Sequence, residues 1–191
     1  MARKEKQSKW GTILVFFIAF IMISSVIGFL YGGEKDQFKY KDIKFTKTQS
    51  GWSATINNQK VLFDYFPSEV EQINISPEIT SILLNKPEID ATSKINDTFA
   101  EEIALAQYNM LLTLNNLDIY LRQGFTTNTP FNMPIITCED ATESIPVIFF
   151  KQSNDTKITL ENNCIISEAR NNIDILRIKD RLLYSIFGII G

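Results

Sequence analysis

By type and spacing, the residues best placed to do chemistry are Cys138 and Cys164 and the acidic side chains Glu139, Asp140 and Glu143. The chain contains no histidine, which narrows what that chemistry can be. Ser-His-Asp and Cys-His nucleophiles are excluded, as are histidine-ligated zinc and haem. Two thiols are also too few for a four-thiolate metal centre. Carboxylates this close together can ligate a hard cation such as calcium, or divide the acid and base roles of a hydrolysis. Yet the segment Thr137-Cys138-Glu139-Asp140-Ala141-Thr142-Glu143-Ser144 lacks the alternating Asp/Asn spacing and central glycine of an EF-hand loop. A solvated turn carrying surface charge explains it more simply. Glu139, Asp140 and Glu143 are therefore the catalytic candidates only if there is catalysis, and no metal or cofactor is expected. Neither G-x-G-x-x-G nor the Walker phosphate loop is present.

Cys138 and Cys164 fall on segments with the pattern of strands. In an oxidising compartment they are expected to pair, closing a loop of about 25 residues for roughly 3 kcal/mol in the chain-entropy view. A redox-active pair is not expected, because the spacing is unlike Cys-x-x-Cys. Three N-x-S/T triplets, at Asn74, Asn96 and Asn154, mark candidate glycosylation positions on an exported chain. Lys94, just ahead of a predicted helix at Thr98, could meet an anion, although capping of that helix already explains the segment.

Where these residues work is set by the N-terminal sixth of the sequence. Thr12 to Leu30 reads TILVFFIAFIMISSVIGFL, a run without a charge. As a helix it is about 28 Å long, close to the hydrocarbon thickness of a bilayer. Trp10 and Tyr31 stand at its two edges, where amphipathic rings favour the interface. Arg3, Lys4, Lys6 and Lys9 precede it against Glu5 alone, which orients the N-terminus to the cytoplasm. A cleaved signal peptide would have a shorter apolar region and a small-x-small site. The expected organisation is a basic cytoplasmic tail (1–11), a transmembrane helix (12–30), a tether (31–41) and an extracytoplasmic domain (42–191).

A basic tip, an apolar helix and a head with a disulfide in its second half is also the layout to which pilin-like subunits are similar. The acidic residue that bacterial pilins carry early in the apolar helix is missing, and Thr12-Ile13-Leu14-Val15-Phe16 stands there instead.

Beyond the anchor the chain carries 15 basic and 21 acidic residues. An acidic domain without a basic stripe argues against nucleic acid as a partner. Strands are predicted at Ile43–Thr48, Trp52–Ile56 and Val61–Phe66, then short helices capped at Ser68/Glu71 and at Ser76, and a strand over Glu88–Lys94. A helix begins near Thr98 with Phe99, Ile103, Ala106, Met110, Leu114 and Leu117 on one face and Glu101, Gln107 and Asn115 opposite. Strands follow at Asp118–Arg122, Ile135–Cys138, Val147–Phe150, Ile158–Leu160 and Cys164–Ser167. A closing helix over Asn171–Gly188 buries Ile175, Ile178, Leu182, Ile186 and Ile189 and turns Arg177, Lys179 and Arg181 away. Its apolar end could alternatively rest on a membrane surface. The fold class is α/β, a mixed sheet with helices on its faces in two or three layers.

The function expected is a membrane-anchored binding or assembly module of the cell envelope. Its partners would be the lipid bilayer, through 12–30, and a protein in the membrane or envelope. The alternatives are an envelope enzyme using Glu139, Asp140 and Glu143, and a pilin-like subunit.

Overall fold

A computed structural model describes residues 9–31 and 36–191; most of the expected basic tail and part of the tether lie outside the described residues. The chain divides into two units, Met1–Asp36 and Gln37–Gly191. In the first, helix α1 runs Lys9–Tyr31. Ile and Phe dominate it, and every described side chain from Trp10 to Val26 is exposed, all round the helix. Among the described residues no helix is long and apolar enough to cross a membrane.

The second unit begins with an antiparallel meander of β1 (Gln37–Tyr40), β2 (Ile43–Thr48), β3 (Gly51–Ile56) and β4 (Gln59–Phe63). β1 is a departure from the sequence reading, which ran the tether to residue 41. Phe38 supplies the reason: its ring packs edge-on against Trp52 at 5.3 Å and Phe66 at 6.3 Å. Asn57 and Asn58, both with positive φ, make the two-residue turn of the β3–β4 hairpin. Asparagine tolerates that conformation, and the turn's twist matches that of the strands.

Two short helices follow, α2 (Pro67–Val70) and α3 (Pro77–Leu83). The expected Ser68/Glu71 capping box is not formed; the cap of α2 lies two residues earlier and is one-sided, with Glu69 accepting from the Phe66 amide. Glu71 instead accepts from the Tyr40 hydroxyl and ties α2 to β1. At α3 the expected cap is present, with Ser76 accepting from the Ile79 amide.

The remaining elements are β5 (Glu88–Ser93), α4 (Ala100–Asn115), β6 (Tyr120–Phe125), β7 (Val147–Gln152), β8 (Lys157–Glu161), β9 (Cys164–Ala169) and α5 (Asn172–Ile186). Their strands form a second sheet in the order β6-β5-β7-β9-β8, parallel except for β8. The single mixed sheet expected from sequence is thus two sheets. Ile89, Ala91, Ile148, Phe150 and Ile165 of the second sheet belong to the same core as Phe45, Ala54, Val61 and Phe63 of the meander. The helices stand between them: Tyr184 of α5 stacks on Phe63 at 4.4 Å and lies 6.1 Å from Phe45. Helices sandwiched by sheets, not sheets faced by helices, is the arrangement.

The other face of the second sheet is covered by chain from the β6–β7 connection, where Ile136, Cys138 and Ala141 pack on Val147, Cys164 and Ile166. The expected strand at Ile135–Cys138 reduces to one bridge, Phe125 to Ile135, and Cys138 opens a turn of 3-10 helix. Gly124 permits the close approach of this cover. A Cβ there would lie 2.6 Å from the Pro134 carbonyl oxygen and 2.7 Å from Ile136 Cδ1.

Candidate functional site

Because α5 has a sheet on either side, even its polar residues are inside. Lys179, Asp180 and Arg181 are each no more than 2 % exposed, which corrects the expectation that Lys179 and Arg181 face away from the core. An ion removed from water needs partners, and each has them. Lys179 Nζ lies 2.6 Å from Asp180 Oδ1 and 2.8 Å from Asp64 Oδ2. Asp180 Oδ2 accepts from the Tyr65 amide at 2.8 Å, and the Tyr184 hydroxyl donates to the Tyr65 carbonyl at 2.6 Å. Arg181 donates to the carbonyls of Ile73 and Ile190 and to Ser185 Oγ.

Charge in this seam is tightly held. Burial works against the Lys179 ammonium, but Asp180 and Asp64 outweigh it and leave its pKa above the ordinary value. Burial pushes the Asp180 carboxyl up to about 6, against the pull of Lys179 and the Tyr65 amide. A lysine kept protonated between two carboxylates cannot serve as a nucleophile. The seam's chemistry is attachment: it ties α5 to the chain leaving β4.

Above the seam is an open cleft of ≈ 380 Å³ between the edge strand β4 and helix α4. Leu62, Asp64 and Lys60 line it from the strand side, Asn109, Leu112 and Thr113 from the helix side, and Lys179 reaches it from below. On α4, Leu105, Tyr108 and Leu112 recur at helical spacing and are 48, 54 and 49 % exposed, while Leu62 across the cleft is 53 % exposed. Sequence reasoning placed only polar residues on that side of α4. In fact Gln107, expected outside, is buried, and the outer face mixes apolar with polar side chains.

The sequence-derived candidates lie elsewhere. Glu139, Asp140 and Glu143 are all exposed, and Asp140 is occupied within its own turn, accepting from both the amide and the hydroxyl of Thr137. Those two donors hold its carboxyl below the usual range. Among the described residues, no group of three acidic or cysteine side chains could hold a metal ion. Cys138 and Cys164 form a disulfide with Cα atoms 5.2 Å apart. Asn74, Asn96 and Asn154 are all exposed. Lys94 is exposed too, but the amides beside it are taken by Asp97, which accepts from Phe99 at 2.9 Å and Gln152 at 3.0 Å.

One further ion pair escaped the sequence reading. Asp90 is fully buried on β5, and Arg122, its register partner on β6, grips it through Nε at 2.8 Å and Nη2 at 2.5 Å. The sequence offered only an aspartate inside the predicted strand Glu88–Lys94 as a signal, since one that is buried requires a cation beside it. Which cation could not be named before the strand pairing was known. Compared with known protein families, with characterised proteins and with solved structures, the chain finds no match.

Proposed function

We propose that this chain is a single-pass membrane-anchored protein whose extracytoplasmic α/β domain is a binding or assembly module of the cell envelope. The uncharged run Thr12–Leu30 behind Arg3, Lys4, Lys6 and Lys9 supports the anchor and its orientation, N-terminus inside. The Cys138–Cys164 disulfide suits a domain kept in an oxidising compartment. For binding, the observation that carries most is the cleft where Leu112 of α4 and Leu62 of β4 stand about half exposed on opposite walls, with Leu105 and Tyr108 of the same helix also half exposed. Solvated apolar side chains grouped in this way are the ordinary mark of an interaction surface. An enzyme working through Glu139, Asp140 and Glu143 draws no support, because a solvated turn gives them neither a shielded site nor a common substrate position.

Two experiments test the reading. Protease added to intact cells should remove the domain and leave a membrane-protected N-terminal fragment; full protection of the domain would overturn the orientation. A photo-crosslinking residue in place of Tyr108, activated in intact membranes, should yield a discrete adduct that the same probe at Glu161, on another face, does not. Identical adducts from both positions would remove the case for an α4 surface.

A further inference from the structure

β4 is the outer strand of the meander and, among the described residues, pairs only with β3. Its register, closed by Ile56 opposite Gln59 across the Asn57-Asn58 turn, fixes which backbone groups are used. In an antiparallel ladder successive residues alternate between bonding the neighbour and pointing away from it. Gln59, Val61 and Phe63 therefore bond to β3, whereas the amides and carbonyls of Lys60 and Leu62 face outward. No other backbone or side-chain group among the described residues takes them up. Directly below this open edge lies the cleft, with Leu112 and Thr113 of α4 as its far wall. An edge with free backbone groups beside a helix is the geometry in which an extended segment adds to a sheet.

Side-chain directions then specify the segment. Lys60 and Leu62 both project onto the solvent face of the meander, and Val61 between them projects into the core. Lys60 is in no ion pair among the described residues. We propose that the β4 edge and the adjoining α4 face take an extended peptide segment of a partner protein as a fifth strand of the meander. That segment carries a carboxylate opposite Lys60 and an apolar side chain opposite Leu62, with an intervening apolar residue lowered against Leu112. The proposal rests on the binding-module reading and names the surface and the partner's chemistry.

The test uses the full chain in detergent micelles and a library of short displayed peptides. Selected peptides should share an acidic and an apolar residue two positions apart, and hydrogen exchange should show new protection of the Lys60 and Leu62 amides when they bind. Leu62→Pro removes an outward amide that the native ladder does not use, so the domain should fold while binding falls by about tenfold or more. Leu112→Gln, on the solvated helix face, should weaken binding several-fold. Lys60→Glu should turn the selected carboxylate into a basic residue. Failure to select any peptide, or peptides that bind Leu62→Pro as tightly as the native chain, would overturn the groove. So would a concentration-dependent dimer abolished by Leu62→Pro, since a second copy would then be the occupant. A membrane crosslink from position 108 that persists in Leu62→Pro would overturn the groove alone and leave the binding-module reading standing.

Discussion

At the scale of single residues, buried Lys179 and Asp180, with half-buried Asp64 as the lysine's second partner, dominate what can be measured. Lys179→Met leaves two carboxylates facing each other beside α5. Urea titration should show a loss of ~3–5 kcal/mol, the usual consequence of stranding a buried charge. Adding Asp180→Asn to that variant should recover part of it. Asp180 also gives the domain a pH dependence of unusual sign. Its carboxyl titrates near 6 when folded against an ordinary 3.8, so between those values the folded state holds a proton that the unfolded chain releases. Stability from this group therefore falls as pH rises from about 4 to about 6. Glu168 runs the other way: burial raises its pKa, but Lys151 and Lys157 more than offset this and lower it. Its contribution is present above its ordinary pKa and fades as pH falls through its folded value. The clean measurement is the difference between native chain and Asp180→Asn across pH 4 to 6, which should shrink steadily; a flat difference would refute the assignment. Lys179 and Arg181 were legible as basic residues of a helix, but not as buried ones. Their burial comes from a second sheet that no local pattern announces.

At the scale of elements, local chemistry was the readable part. The strands β2, β7, β8 and β9, the cap at Ser76 and the apolar stripe Ile103, Ala106, Met110 and Leu114 all follow from alternation, capping and helical spacing. The misreadings share a cause. β1 exists because Phe38 finds an aromatic cluster, and Cys138 leaves the strand pattern because its segment serves as a lid on β7 and β9. In both cases a distant partner overrides the local preference. The lid can be tested directly. Replacing both Cys138 and Cys164 with Ala should lower stability by ~3 kcal/mol, read as a drop in melting temperature. Gly124→Ala drives a methyl group toward the Pro134 carbonyl and Ile136. It should cost ~1–3 kcal/mol, the range for overpacking a close contact, with near-ultraviolet dichroism reporting the displaced cover.

At the scale of the whole molecule, the sequence conveyed the α/β class, while the division into two sheets lay beyond it. Which strands join which sheet depends on pairings between segments far apart in the chain, and those leave no short-range trace. The same holds for the candidate surface: Leu112 faces Leu62, about fifty residues earlier, only across the cleft. The exposure of Leu105 predicts that Leu105→Lys will leave the melting temperature nearly unchanged, while suppressing the membrane crosslink formed from position 108. The placement of α5 has a consequence for how the protein is made. Every strand it separates is synthesised before it. Until the ribosome has delivered residues 172–186, both inner sheet faces lack part of their filling and the charge of Asp64 lacks its partner Lys179. Nascent chains arrested before residue 172 should accordingly be cut rapidly by limited proteolysis, and chains released after residue 190 should resist. The head would then pass from emergence to native structure in one late step, with its apolar surfaces in the keeping of chaperones until then.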